Sequence, residues 1–308
     1  MKIVVIGAGA MGTLFGGRLG LAGNQVCLVD VVPEVIRAVN ENGICLEDDA
    51  GTHIARVSAS RAEEITEPAD LVILFTKTLY SESALQSAQA FIGDETRVMS
   101  LQNGLGNDEI LKKYVDPERI LIGVTNYPSD FLGPGHVSSK GDGYIRLMSL
   151  KDGDPASDIV SVLREAGFNA SAVSNVYDSI WEKVAFNAVF NSITSVCGIT
   201  VDEVGHTEEG LRLAETLADE IVAVARACGA DLKKEALWEG ILYAVKNHIG
   251  HRTSMAQDIQ KHRRTEVDSI IGAILRKAAE NDLSAPHLET VYQMVKIVEC
   301  HSCGQVRN

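Results

Sequence analysis

From Lys2 to about Ala172, short runs of β-branched and other apolar residues alternate with stretches at helical spacing. The apolar runs cover residues 3–6, 25–29, 71–75, 97–101, 120–124, 144–148 and 170–173. Runs this short and this apolar suit strands buried on both faces, and their alternation with helical stretches predicts a mostly parallel sheet covered on both sides. Between the second and third runs, residues 45–57 form two short alternating segments around Asp48-Asp49-Ala50-Gly51, which predicts a β-hairpin. After Asn175 the period changes. Amphipathic helices are predicted over 176–196, 208–228, 233–247, 255–281 and 286–300, the last opened by Pro286. The spacing therefore predicts two domains, residues 1–173 and 174–308, joined by a short connection near 172–178 with a cleft between them.

The first helix follows the first strand through Gly7-Ala8-Gly9-Ala10-Met11-Gly12. In a G-x-G-x-x-G between strand and helix, the first glycine permits the tight turn and the second lets backbone approach a pyrophosphate. The third lets the helix pack on the sheet, while the helix N-terminus offers free N–H groups to the anion. Asp30, at the end of the second strand and 23 residues after Gly7, has the spacing of an acid that binds the adenosine ribose. A carboxylate there accepts hydrogen bonds from a free 2′-hydroxyl and repels a 2′-phosphate, and Val31, Val32 and Pro33 supply no neighbouring cation. The expected cofactor is NAD in preference to NADP. The fold class is then α/β: a Rossmann-type doubly wound, mostly parallel sheet followed by a smaller all-helical domain.

Composition narrows the partners. A formal net charge of −14 over 308 residues gives a field opposite to the one nucleic acid needs. No stretch reaches the ~18–20 apolar residues of a membrane span, and the N-terminus has no signal-peptide core, so a cytoplasmic protein is expected. Cys27, Cys45, Cys197 and Cys228 sit singly among small or apolar neighbours and read as reduced core thiols. Cys300-His301-Ser302-Cys303 has no second ligand pair and is placed in a polar tail. His248, His251 and His262, with Asp258, form no compact ligand set, and no metal is expected. Lys261-His262-Arg263-Arg264 reads as a solvated helix face.

Lys183, Asn187 and Asn191 recur at a four-residue interval, which at 3.6 residues per turn places them on one stripe of a helix. Val184, Ala185, Ala188 and Val189 lie beside them, so a lysine and two carboxamides border apolar packing and need polar partners. On the residues alone, a solvated face remains the alternative. Two further segments bear on the choice. Leu101-Gln102-Asn103-Gly104-Leu105-Gly106 follows a predicted strand, at the sheet end where doubly wound folds bind ligands. Ser254-Met255-Ala256-Gln257-Asp258-Ile259 then leads, within one predicted helix, to Thr265-Glu266-Val267-Asp268.

These segments together, in this order and over essentially the whole chain, resemble the ketopantoate reductases, or 2-dehydropantoate 2-reductases. The resemblance implies an oxidoreductase that reduces ketopantoate to D-pantoate in pantothenate biosynthesis. It implies Lys183 as the general acid at the substrate carbonyl and Glu266 as the acid engaging the product hydroxyl. Ser254, Asn187 and Asn191 would bind substrate, Asn103 would touch both nicotinamide ribose and substrate, and Lys77 would lie near the cofactor. Hydride addition builds negative charge on the keto oxygen, and Lys183 is the cation on this helix that can meet it. Asp30 departs from the family, whose well-known members use NADPH and carry an arginine near that position. The departure leaves an NAD-dependent D-2-hydroxyacid dehydrogenase of the D-mandelate type as the alternative enzyme. A dinucleotide-binding sensor, which would need neither Lys183 nor Glu266, is the non-catalytic alternative, and the long helices of the second domain could support a homodimer.

Overall fold

The computed structural model describes residues 1–154 and 156–304. By internal contacts the chain forms two compact units, Met1–Gln102 with Asn107–Val176, and Asn103–Gly106 with the chain from Tyr177 onward.

The first unit runs β1 Lys2–Ile6, α1 Ala10–Leu21, β2 Gln25–Val29, α2 Pro33–Asn42, β3 Ile44–Asp48, β4 Gly51–Ala55, β5 Ser58–Ser60, β6 Leu71–Leu74, α3 Ser81–Ser87 and β7 Arg97–Ser100. It continues with α4 Asn107–Leu111, β8 Ile120–Thr125, β9 Asp130–Gly133, β10 His136–Ser138, β11 Ile145–Ser149, α5 Ser157–Glu165 and β12 Ala170–Ala172. The main sheet has the order β12-β11-β8-β7-β6-β1-β2-β5, and β11 meets β8 antiparallel while the remaining pairs are parallel. The central strands are apolar throughout because both their faces are covered: every residue of β6 and β8 is buried. From β1 the chain moves outward through β2 to β5, then returns to β6 on the other side of β1. The topological switch point, where such sheets bind ligands, therefore lies between β1 and β6.

Each strand expected from the apolar runs is present within one residue of its expected ends. The hairpin is present too, with Ile44 opposite Ala55 and Asp48 opposite Gly51. It belongs to a second sheet, β4-β3-β10-β9, which the sequence reading missed along with β5. Those missing strands are three or four residues long and carry Ser, Asp and Gly, so no alternation marks them.

The second unit contains α6 Tyr177–Cys197, α7 Glu208–Ala227, α8 Lys234–Asn247, α9 Ser254–Gln260, α10 Ile271–Glu280 and α11 Pro286–Ser302. Helix α6 is central: it packs on α7, α8, α9 and α11, and its Val184, Ala185, Ala188 and Val189 enter the core with Leu217, Ile221, Ile241 and Val295. Among the described residues no helix is long and apolar enough to cross a membrane.

Two expectations need correction here. The single helix over 255–281 is two helices, interrupted after Gln260 by a turn in which His262 adopts a left-handed φ of 53°. The interruption has a tertiary cause, because the Thr265 N–H donates to the Glu299 carboxylate of α11 instead of entering a helical ladder. The cysteines are also less buried than expected. Cys197 and Cys228 are exposed, since each falls at a helix end, and Cys27 and Cys45 are only partly covered. Cys300 lies in the last turn of α11, where the expected helix ends, and Cys303 follows as its C-cap.

Candidate active site

The glycine turn stands at the switch point. Gly7 leaves β1 with φ 98°, and a Cβ on it would lie 2.8 Å from the Thr76 nitrogen of the loop after β6. A Cβ on Gly12 would collide with the Gly7 carbonyl oxygen, whereas one on Gly9 would meet nothing within 4 Å. Open space over Gly9 is what close approach of a pyrophosphate requires. The N-terminus of α1 has no side-chain cap and no acid in its first turn, so its N–H groups and positive dipole end are left for an anion. Asp30 closes the turn: one carboxylate oxygen accepts from Ala8 N–H at 2.8 Å and the other from Val32 N–H at 3.0 Å. The residues present thus fit a dinucleotide, with lone pairs of Asp30 still available to a ribose.

Residues 31–33 supply no cation, but one from further along the chain reaches the same loop. Arg61, just past β5, donates to the Val31 carbonyl at 3.2 Å. It lies 4.0 Å from the Glu63 carboxylate. Lys77 follows β6 and precedes a short 3-10 turn, Thr78–Tyr80. That loop is tied to β7 by Gln102, whose amide donates to the Thr76 carbonyl at 2.6 Å and to Ser81 Oγ at 2.8 Å, a role the sequence reading did not assign.

The helical unit holds the second constellation. On α6, Lys183 and Asn187 are partly exposed and Asn191 is buried. Although part of the residue is accessible, its ammonium end is enclosed by the surrounding chain; this desolvation lowers its pKa to about 8, and the Glu266 carboxylate acts on it in the opposite sense. A lysine so shifted can give up or take a proton near neutral pH. Glu266 sits in the turn between α9 and α10. The amide of Asn103 donates to Glu266 Oε2 at 3.4 Å, so Asn103 joins this group although it directly follows the β7 loop in sequence. Gly104, at φ 97°, lies so close to Ser269 that a Cβ would strike its carbonyl oxygen, and Leu105 N–H donates to that oxygen at 3.0 Å. Close backbone contact thus fixes Asn103 against the Glu266 turn.

Two buried polar atoms on α6, Asn191 Nδ2 and Ser195 Oγ, have no hydrogen-bond partner among the described residues. They lie four residues apart and extend the Lys183 stripe. By contrast, Ser192 and Thr194 are satisfied by helix carbonyls at 2.7 Å, and Thr194 Oγ1 also pairs with Thr253 Oγ1 at 2.8 Å. Thr253 caps α9 through Ala256 N–H, and Ser254 beside it is exposed. His248 and His251 are exposed, and among the described residues no group of three or more His, Cys, Asp or Glu side chains could hold a metal ion.

Comparison with known proteins decides the family. The ketopantoate reductase PanE/ApbA model matches residues 3–152, and its C-terminal counterpart matches residues 175–299. The chain belongs to the ketopantoate reductase family. A 2-dehydropantoate 2-reductase of Streptococcus pyogenes serotype M3 is 32% identical over 305 residues, covering 97% of this chain and 98% of that protein. D-mandelate dehydrogenase, solved with NADH and anilino(oxo)acetate, is 32% identical with a TM-score of 0.93, covering 98% of this chain and 99% of that one. A PanE/ApbA family ketopantoate reductase from Ralstonia eutropha JMP134 is 25% identical with a TM-score of 0.91, again covering 98% and 99%. Family membership carries the α/β sheet and helical region with it. Within this ketopantoate reductase family member, Lys183, Asn187, Asn191, Glu266, Ser254 and Asn103 all belong to one compact unit, and Gly7 to Gly12, Asp30 and Lys77 to the other.

Proposed function

We propose that this chain is an NAD(P)-dependent 2-dehydropantoate 2-reductase, reducing ketopantoate to D-pantoate. The observation that carries the reading is the Lys183 ammonium, lowered by burial to about 8 and opposed by Glu266, on a stripe of otherwise unsatisfied carboxamide. Residues 1–173 bind the dinucleotide and residues 174–308, with Asn103, bind the substrate. The bound nicotinamide supplies the hydride. Lys183 Nζ donates a proton to the keto oxygen as the hydride reaches carbon, so a carbonyl becomes a secondary alcohol and the lysine is left neutral until solvent reprotonates it. Glu266 holds the ammonium before transfer and accepts from the new hydroxyl after it. Asn187 and Asn191 donate to substrate oxygens, and Ser254 donates to its carboxylate.

For the cofactor, Asp30 supports NAD over NADP. The charge of Arg61 is shared with Glu63 and a backbone carbonyl, while the carboxylate at 30 stands just past β2, where a ribose-binding acid is expected. That a related D-mandelate dehydrogenase was solved with NADH agrees with this choice. The deciding assay crosses NADH and NADPH with ketopantoate, phenylglyoxylate and 2-ketoisocaproate. The expected result is the highest kcat/KM for ketopantoate with NADH. Preference for NADPH would remove the Asp30 argument, and preference for phenylglyoxylate would reassign the enzyme to the D-mandelate type. Tight NADH binding with no oxidation on any acid would favour a sensor.

A further inference from the structure

The turn that carries Glu266 belongs to neither flanking helix, so its direction depends on what anchors it. Glu299, in the last full turn of α11, is 4% exposed. Its Oε1 accepts from Thr265 N–H at 2.6 Å and from Thr265 Oγ1 at 2.7 Å, and its Oε2 accepts from Lys296 Nζ at 3.0 Å. Lys296 reaches on to Asp268 Oδ2 at 3.0 Å, and Tyr292 donates to Asp268 Oδ1 at 2.7 Å. The charge of Arg264 also acts on Asp268. The residue before Glu266 and the residue two after it are thus both gripped from α11. On the inner side, the Glu266 carbonyl accepts from Ser269 N–H at 3.1 Å and Ile270 N–H at 3.0 Å. Packing alone does not call for a carboxylate here, because α11 already buries Leu288, Val291 and Val295 in the core. A buried charge is retained only where several donors fix it, and these donors all lead to one short turn.

We propose that Glu299 is a positioning residue: through Thr265 it holds the turn that places the Glu266 carboxylate beside the Lys183 ammonium. The inference rests on the reading in which Lys183 and Glu266 work on the substrate carbonyl. It predicts that Glu299 acts on catalysis without touching substrate, by keeping Glu266 within electrostatic reach of Lys183. Asp268, Lys296, Tyr292 and Arg264 are the charged or titratable groups that face this anchor.

The test measures two things in wild type, Glu299→Ala and Glu299→Gln. The first is the pH midpoint for acetic anhydride labelling of Lys183 in the free protein, read by mass spectrometry and independent of turnover. The second is kcat and KM for ketopantoate. In Glu299→Ala the Lys183 midpoint should fall by roughly half a pH unit or more, because Glu266 no longer raises it. Its kcat should drop on the order of tenfold to a hundredfold, with a smaller change in KM. Glu299→Gln, which keeps an acceptor for Thr265, should recover most of both. Thr265→Val removes one donor without emptying the site, and it carries the same two measurements if Glu299→Ala does not fold. An unchanged midpoint in folded Glu299→Ala overturns the proposal, as does a kcat loss in which the glutamine gives no recovery. If the wild type reduces no 2-keto acid while the midpoint still moves, the positioning role stands and the proposed substrate reading falls.

Discussion

At the scale of single residues, the four-residue interval of Lys183, Asn187 and Asn191 was readable because a helix repeats every 3.6 residues, and Lys183 on that stripe lies within electrostatic reach of the Glu266 carboxylate. Arg61 and Glu299 were not readable, since their partners Val31 and Thr265 lie 30 and 34 residues away. In the proposed reaction Lys183 sets the pH behaviour. Burial lowers it to about 8, so the ammonium needed for reduction is present below that value and lost above it. The kcat for keto-acid reduction should fall as pH rises through about 8. The reverse oxidation, which needs the neutral amine as base, should rise over the same interval. Lys183→Met should lower kcat by roughly 10²- to 10⁴-fold with an unchanged circular dichroism spectrum; turnover close to wild type would take Lys183 out of the reaction. Asn191 makes the opposite trade. Its buried Nδ2 has no hydrogen-bond partner among the described residues, a state that costs about 1–3 kcal/mol. Asn191→Leu should therefore match or exceed the wild type in thermal stability while raising KM for ketopantoate, and a stability loss with unchanged KM would show that the amide serves the fold.

Among the elements, helices and strands with a clear period were legible almost to their ends, and the failures share a cause. Helix α9 and helix α10 carry a continuous helical pattern, yet the chain turns between them because Thr265 finds its acceptor on α11. Strands β5, β9 and β10 form because neighbouring strands offer hydrogen-bond partners, which residues such as Ser58 and Asp130 do not announce. The Asn103–Gly106 segment shows the same dependence. It follows β7 at the sheet's carboxyl end as its sequence predicts, and what the sequence did not reveal is that it packs on the turn that carries Glu266. Gly104→Ala would force a Cβ into the Ser269 carbonyl at a φ of 97°. Its unfolding midpoint should drop by an amount worth about 2 kcal/mol or more, and its kcat should fall with it. A variant as stable and active as the wild type would mean that this contact yields easily.

For the whole molecule, the change from strand-and-helix alternation to pure helical spacing near residue 175 announced the class of each half, and the glycine turn carries the dinucleotide proposal for the first half. Gly9 gives the cleanest test of that turn. A Cβ there meets no protein atom within 4 Å, so Gly9→Ala should fold and melt like the wild type. Saturating NADH at a hundred times its Kd should stabilise the wild type by about 2.7 kcal/mol and leave Gly9→Ala nearly unmoved; equal stabilisation of both proteins would place the pyrophosphate elsewhere. The membership of Asn103–Gly106 in the helical unit also constrains how the chain can be divided. A fragment expressed from residue 177 onward would lack the peptide that donates to the Ser269 carbonyl and the amide that reaches Glu266. Such a truncation should expose that turn to rapid amide exchange, and supplying the missing tetrapeptide within a loop graft, rather than lengthening the fragment's N-terminus, is the repair its architecture calls for.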